Sequence, residues 1–292
     1  MRPRYGGQAL IEGVLIRGRA GVFAAVRSPD GTVITREERL KDPTVGMWRK
    51  VPIIRGILAL RDTLSVGMRM MVFSADVAAG GTGETLQPMS KRAMIGAGLG
   101  VAGLFAVIPN MLARRWHSRK AESAEGGFSS HIVEGGVRIG ILLGYLGIIG
   151  RLKEVQRVFA YHGAEHKSIS ALEANVPLEP AEVQKFATAH PRCGTAFLLQ
   201  SMLTSTVVFA VVGKRLPFGR IGSRVVLVPL VAGISFEVLQ FNARHLDSKL
   251  VRILNTPGML LQRLTTRQPT DDQVEVALQA LQGAMAMDAE DA

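Results

Sequence analysis

The sequence predicts a mainly α-helical fold: a polytopic membrane bundle of about four spans, with a small N-terminal β element and amphipathic helices at the interface. Three observations predict it. The 292-residue chain is 47% hydrophobic with a mean hydropathy of +0.21, and only 20% of its residues are charged, below the share usual in soluble domains. Four stretches, 93–113, 132–150, 194–213 and 225–241, are apolar over about the length a helix needs to cross the hydrocarbon core. The formal charge is nevertheless +11, as expected of loops lying against anionic head groups.

The elements follow in order. Residues 1–50 carry a β element. Gln8 to Ile16 is apolar and partly β-branched, while Val22–Arg27 and Thr32–Thr35 flank Ser28-Pro29-Asp30-Gly31, which has turn chemistry. Residues 51–91 hold an amphipathic helix and a linker. Ile54, Leu58, Leu64, Met68, Met71 and Val72 recur at near-helical spacing, interrupted by Arg55, Arg61, Asp62 and Arg69. That pattern suits a helix on the membrane surface or against the bundle better than a span.

Residues 92–249 form the bundle. The first span, Ala93 to Ala113, is uncharged, and its Gly98, Gly100 and Gly103 match a dinucleotide fingerprint only by chance, because no strand-turn-helix surrounds them. The second carries Glu134 and Arg138, four apart and able to pair on one helix face. The fourth contains Glu237. Helical spans follow because lipid offers the backbone no hydrogen bonds. Four spans leave the N-terminal region, the 151–193 loop and the C-terminal tail on one side. The loops do not fix which side: 114–131 and 214–224 hold four Lys or Arg each, and 151–193 holds six. The N-terminal stretch lacks a signal-peptide core, so both termini are expected in the cytoplasm and the protein in the inner membrane.

Residues 250–292 read as a helical tail. Leu250–Leu264 is a short amphipathic piece, and Thr270-Asp271-Asp272 starts a last helix with a cap and acids in its first turn. Asp288 to Ala292 read as frayed.

Composition also narrows the function. The basic residues are scattered, so no nucleic-acid partner is expected. Cys193 is the only cysteine, which excludes an intrachain disulfide. One group of residues carries chemistry: Tyr161-His162-Gly163-Ala164-Glu165-His166-Lys167, in a segment of helical periodicity. His162 and His166 are one turn apart on one helix face, a spacing that lets two imidazoles share a divalent ion, most often zinc. With Glu165 they spell His-x-x-Glu-His, the reversed zinc-peptidase order, in which the glutamate takes a proton from water. Further ligands are needed. Glu237, about one turn inside the fourth span, leads, because a later glutamate completes the reversed motif and an ionisable group within a span is a functional candidate. His190 and Cys193, just before the third span, are the alternative pair. Glu173 lies on the same stripe as His166 but roughly 10 Å along the axis, placing it to orient a ligand or hold a partner. A Cys193–His190 nucleophile pair has nothing else to support it.

Four groups of residues carry a resemblance: Tyr5–Arg17, Tyr161–Lys167, His190–Thr195 and Leu264–Arg267. Together they resemble the YqhQ-like family of bacterial membrane proteins, a domain of unknown function, over nearly the whole chain. Leu15-Ile16 stands where that pattern has methionines, an apolar exchange. The resemblance implies a metal-dependent enzyme without a substrate, and it draws Gln8, Glu12 and Arg17 towards the same site.

Three functions compete. The first is a membrane metal-dependent hydrolase, with Glu165 as base and a peptide or lipid-linked substrate arriving at the interface. The second is a scaffold or assembly factor with a structural metal and membrane-protein partners or a homo-oligomeric state. The third is a transporter using the intramembrane charges; no inverted repeat supports it.

Overall fold

The computed structural model describes residues 5–40, 47–83, 103–119, 128–212, 219–245 and 247–291, together with Gly96 and Gly100. Four short strands open the chain: β1 (Gly6–Leu10), β2 (Gly13–Arg17), β3 (Gly21–Arg27) and β4 (Val33–Arg39). They form an antiparallel meander in sequence order. Leu10 pairs with Gly13, so Ile11 and Glu12 make a two-residue turn, and Glu12 takes the positive φ of 54° that such tight hairpins require.

Strand alternation decides what covers the sheet. Val14, Ile16 and Ala25 point into one core, and Leu15, Val22, Ala24 and Val26 into another. The second face is covered by α1 (Ile54–Ala78), whose Val66, Met70, Phe73 and Val77 repeat at helical spacing and are buried on it. Each such side chain contributes about 1.5–3 kcal/mol of apolar burial. The first face is covered by α4 (Lys153–Ala174) and by α9 (Asp271–Glu290). The N-terminal strands, the 151–193 segment and the C-terminal helix therefore share one core. The chain's end is not frayed throughout: Asp288 is buried and accepts the backbone N–H groups of Arg19 (3.1 Å) and Ala20 (2.7 Å). A capping box of Thr270 and Gln273 starts that last helix, as its sequence predicts.

Between these elements run α2 (Ile108–Arg119), α3 (Phe128–Ile149), a one-turn α5 (Pro180–Val183), α6 (Gly194–Val211), α7 (Gly219–Arg244) and α8 (Lys249–Thr265). Among the described residues three helices are long and apolar enough to cross a membrane: His131–Ile149, Gly194–Val211 and Val226–Arg244, with mean hydropathies of 1.7, 1.5 and 1.6. Most of each is open at the surface, and Ile148, Val207 and Val228 are more than half exposed, as side chains that face lipid are. Of the expected span at 93–113, residues 93–95, 97–99, 101 and 102 lie outside the described residues, and Gly103–Leu112 is an apolar helix of shorter length. Glu134 and Arg138 pair as their spacing predicts; both are buried, and Arg138 also donates to Ser205 Oγ and the Phe105 carbonyl, each at 3.0 Å. The first half of α1 lies against α7, where Gly56 meets Phe236 and Gly233 meets Ile53. The helix thus joins bundle to sheet. α8 is strongly two-faced, burying Val251, Leu261 and Gln262 while Leu250, Ile253 and Leu254 stand exposed, which fits an interfacial helix.

Candidate metal centre

Helix α4 carries His162 and His166 one turn apart, with ring centroids 4.4 Å apart. Each ring is oriented by a backbone carbonyl. His162 Nδ1 lies 2.8 Å from Thr265 O, and His166 Nδ1 lies 2.6 Å from Thr188 O. A carbonyl only accepts, so both Nδ1 atoms carry a proton, and in the neutral imidazole each Nε2 is then the nitrogen that holds a lone pair. Metal-binding histidines commonly donate their other ring N–H to a carbonyl in this way, which fixes the tautomer and the ring orientation.

The carbonyls arrive because the chain comes unusually close to α4. A Cβ at Gly163 would strike the Arg267 carbonyl and lie 3.2 Å from Thr188 Cγ2, so only glycine lets these segments approach. The Arg267 N–H donates to Phe159 O at 2.9 Å, which pins the end of α8 beside the motif. Thr188 is held from the other side: Lys167, buried on α4, donates to the carbonyls of Gln184 and Phe186. Burial pushes its ammonium below the usual lysine range.

Cys193 caps the N-terminus of α6. Its Sγ lies 3.2 Å from His162 Nε2 and 3.1 Å from Thr195 Oγ1, and the Thr195 N–H points to it at 3.4 Å. The ligand atoms of His162, His166 and Cys193 all lie within 4.8 Å of one another. Atoms about 2.0–2.3 Å from a tetrahedral zinc stand about 3.3–3.6 Å apart, so these three are spaced closely enough that they could hold one ion.

Glu165 lies next to this group without belonging to it. Its carboxylate is buried, with Oε2 3.5 Å from His166 Nε2, and it accepts the Gly7 N–H of β1. Burial pushes its carboxyl above the usual range, opposed by His162, His190 and that N–H. Gly7 is glycine for the same reason as Gly163: a Cβ there would stand 2.8 Å from Glu165 Cγ. A cavity of about 30 Å³ lies beside these groups, lined by Tyr5, Gly7, Glu165, His166, His190 and Cys193 among others. It has room for a water.

The other residues singled out by sequence fall at three distances from this centre. His190 lines the cavity, its ring centroid 5.8 Å from that of His166, but its valences are engaged: Nδ1 accepts the Arg192 N–H at 3.3 Å and Nε2 points at Glu173 Oε2 at 3.3 Å. Burial lowers its basicity. Glu173 also pairs with Arg192, so it orients His190, in line with the role its position suggested. Gln8 and Arg17 line a neighbouring cleft, Arg17 donating to Thr63 Oγ1 at 3.3 Å. Glu12 pairs with Arg157, one turn before Tyr161 on α4. Its carboxylate also stands 3.4 Å from the Tyr161 hydroxyl, which burial pushes up to about 12. Glu237 is not brought to the histidines. Its carboxylate forms a two-pronged pair with Arg55 and accepts the Ile53 N–H at 3.2 Å. Sequence reasoning missed Thr188, Thr265 and Gln262. Gln262 clamps the His190 backbone through both ends of its amide, at 2.8 and 2.9 Å. A carbonyl or a clamping amide has no residue-type signature; Leu264–Arg267 was visible only through the resemblance.

Residues 51–287 match the family described as "Protein of unknown function (DUF1385)". The chain is also 32% identical over 306 aligned positions to "Uncharacterized protein YqhQ" of Bacillus subtilis (strain 168), covering 98% of this chain and 94% of that one. No solved structure matches. Both His162–His166 and His190–Cys193 lie inside the matched region, and the chain belongs to the DUF1385 family of proteins of unknown function.

Proposed function

We propose that this protein is a membrane-embedded metal-dependent hydrolase with a divalent ion, zinc first, held by His162, His166 and Cys193. The observation that carries the reading is the convergence of two Nε2 lone pairs and one sulfur within 4.8 Å, with both Nδ1 atoms committed to carbonyls. A structural zinc takes four protein ligands, whereas a catalytic one keeps a position open. His190, the nearest further imidazole, is turned to Arg192 and Glu173, and a cavity occupies the remaining direction. That favours the catalytic reading over a scaffold with a closed site.

A divalent ion here supplies a Lewis acid that makes hydroxide available near neutral pH. Glu165 is the chain's own base: it faces the cavity, is shielded from bulk water, and accepts the Gly7 N–H, which helps its anionic form. His190, oriented by Glu173 and by Gln262, walls the same space. We assign the site to the cytoplasmic face of the inner membrane, where a reducing compartment keeps Cys193 available as a ligand.

The test is metal content of the detergent-purified full-length protein beside a His162→Ala/His166→Ala variant. One equivalent of zinc, lost in the variant, is the expected result, with Glu165→Gln retaining the metal. A wild type that binds no metal even after reconstitution would overturn the reading.

A further inference from the structure

A cleft of about 420 Å³ adjoins the small cavity and shares five of its lining residues: Tyr5, Gly6, Gly7, Arg192 and Gly194. One wall is the β1–β2 hairpin with Leu15 and Arg17. Another is α1, through Thr63 and Val66. The third is the end of α7, through Leu239, Gln240 and Ala243. That end closes the apolar stretch Val226–Arg244, so the cleft sits where a membrane helix runs out of hydrocarbon and meets the sheet.

Its charge is one-sided. Among the described residues, Arg17 and Arg192 are the charged ones that line it, and Glu173 pairs with the second. Arg17 donates to Thr63, which shares the cleft wall; guanidiniums are the planar forks that recognise phosphate and carboxylate groups. The remainder of the wall is largely aliphatic. We propose that this cleft binds the head group of an anionic lipid, and that such lipids are the substrate class of the adjoining centre. The second part rests on the hydrolase reading; the binding does not.

Size and position support this occupant over a soluble anion. The volume falls within the roughly 300–1,000 Å³ of small-molecule sites. It accommodates a head group and the linkage to its chains, but not the chains, which stay in the bilayer. A small free anion would leave the aliphatic walls of Leu15, Val22, Val66 and Leu239 without a partner. An acyl-linked head covers them.

The experiment measures binding of fluorescently labelled phosphatidic acid and of phosphatidylcholine with the same chains to the full-length protein in micelles. The anionic lipid is expected to bind about tenfold more tightly, the scale of one charge-assisted contact. Arg17→Gln is expected to remove most of that preference, and Arg17→Lys to keep part of it, with thermal melting showing that both variants fold. Equal affinity for the two lipids, or an unchanged preference in a folded Arg17→Gln protein, overturns the proposal. So does displacement of the lipid by millimolar inorganic phosphate, which would make the ligand a soluble anion. The His162→Ala/His166→Ala variant is expected to retain the preference. Loss of metal with retained lipid binding therefore separates failure of the hydrolase reading from failure of this one.

Discussion

Two buried polar groups in this protein answer the same physical problem in opposite ways. In α3, Glu134 and Arg138 lie inside an apolar, membrane-length helix and close on one another. The guanidinium also donates to Ser205 and the Phe105 carbonyl, and it rests 5.3 Å over the Phe209 ring. At α4, His162 and His166 each commit one nitrogen to a carbonyl and turn the other, with the Cys193 sulfur, towards a common point. The difference teaches where function is to be sought. Burial and charge mark both places, but only the second leaves lone pairs converging beside a cavity. The first is a structural fastener, and it also removes the main support for a transporter reading.

The largest effect expected tests that closure. Arg138→Met leaves the Glu134 carboxylate buried without its partner, a loss of about 3–5 kcal/mol when one half of a buried pair is removed. The double variant Glu134→Gln/Arg138→Met is expected to recover most of it, and thermal denaturation in micelles measures both. Zinc bound per folded molecule should be unchanged throughout. Loss of zinc in the folded double variant would break the comparison, because it would couple the fastener to the centre.

A smaller effect is expected on the other side. Gly163→Ala forces the Arg267 carbonyl away from α4, at a cost of about 1–3 kcal/mol for overpacking. The carbonyl of Thr265 moves with it, so His162 loses the contact that fixes its tautomer. Metal affinity should fall on the order of 10–100-fold, as when a second-shell partner is removed, while the absorbance of a cobalt-loaded sample reports the thiolate ligand. A folded Gly163→Ala protein with unaltered affinity would mean that the carbonyls do not set the rings.

What was legible in the sequence follows from range. The helical spacing of His162 and His166, the Glu134–Arg138 pair, the turn at 28–31, the Thr270 cap and three of the four expected apolar spans are local patterns, and these appear where expected. The ligand set depends on long-range packing. Nothing in the residue types says that the α8 terminus meets α4, that strand β1 covers Glu165, or that Arg55 reaches Glu237. Cys193 was readable as a candidate because there is one cysteine, but its preference over His190 as partner to the histidines is decided by which hydrogen bonds Glu173 and the Arg192 backbone make. The neighbouring cleft was illegible, since its walls come from five separate stretches of the chain.

The smallest effect expected concerns Glu237, the ligand that the reversed zinc motif suggested. The structure pairs it with Arg55 at a partly exposed position, with about a quarter of its side chain open to solvent. An ion pair so placed contributes about 0–1 kcal/mol, so Glu237→Gln should lower stability only slightly. Its effect on metal is the sharper measurement. If His162, His166 and Cys193 hold the ion, Glu237→Gln keeps one equivalent of zinc at unchanged affinity, and Cys193→Ser loses it. If Glu237→Gln loses the zinc while Cys193→Ser keeps it, metal binding has drawn Glu237 away from Arg55 and across to the histidines. The Arg55 pair would then be the resting state of a ligand that moves, and Arg55→Met, by releasing it, would raise metal affinity.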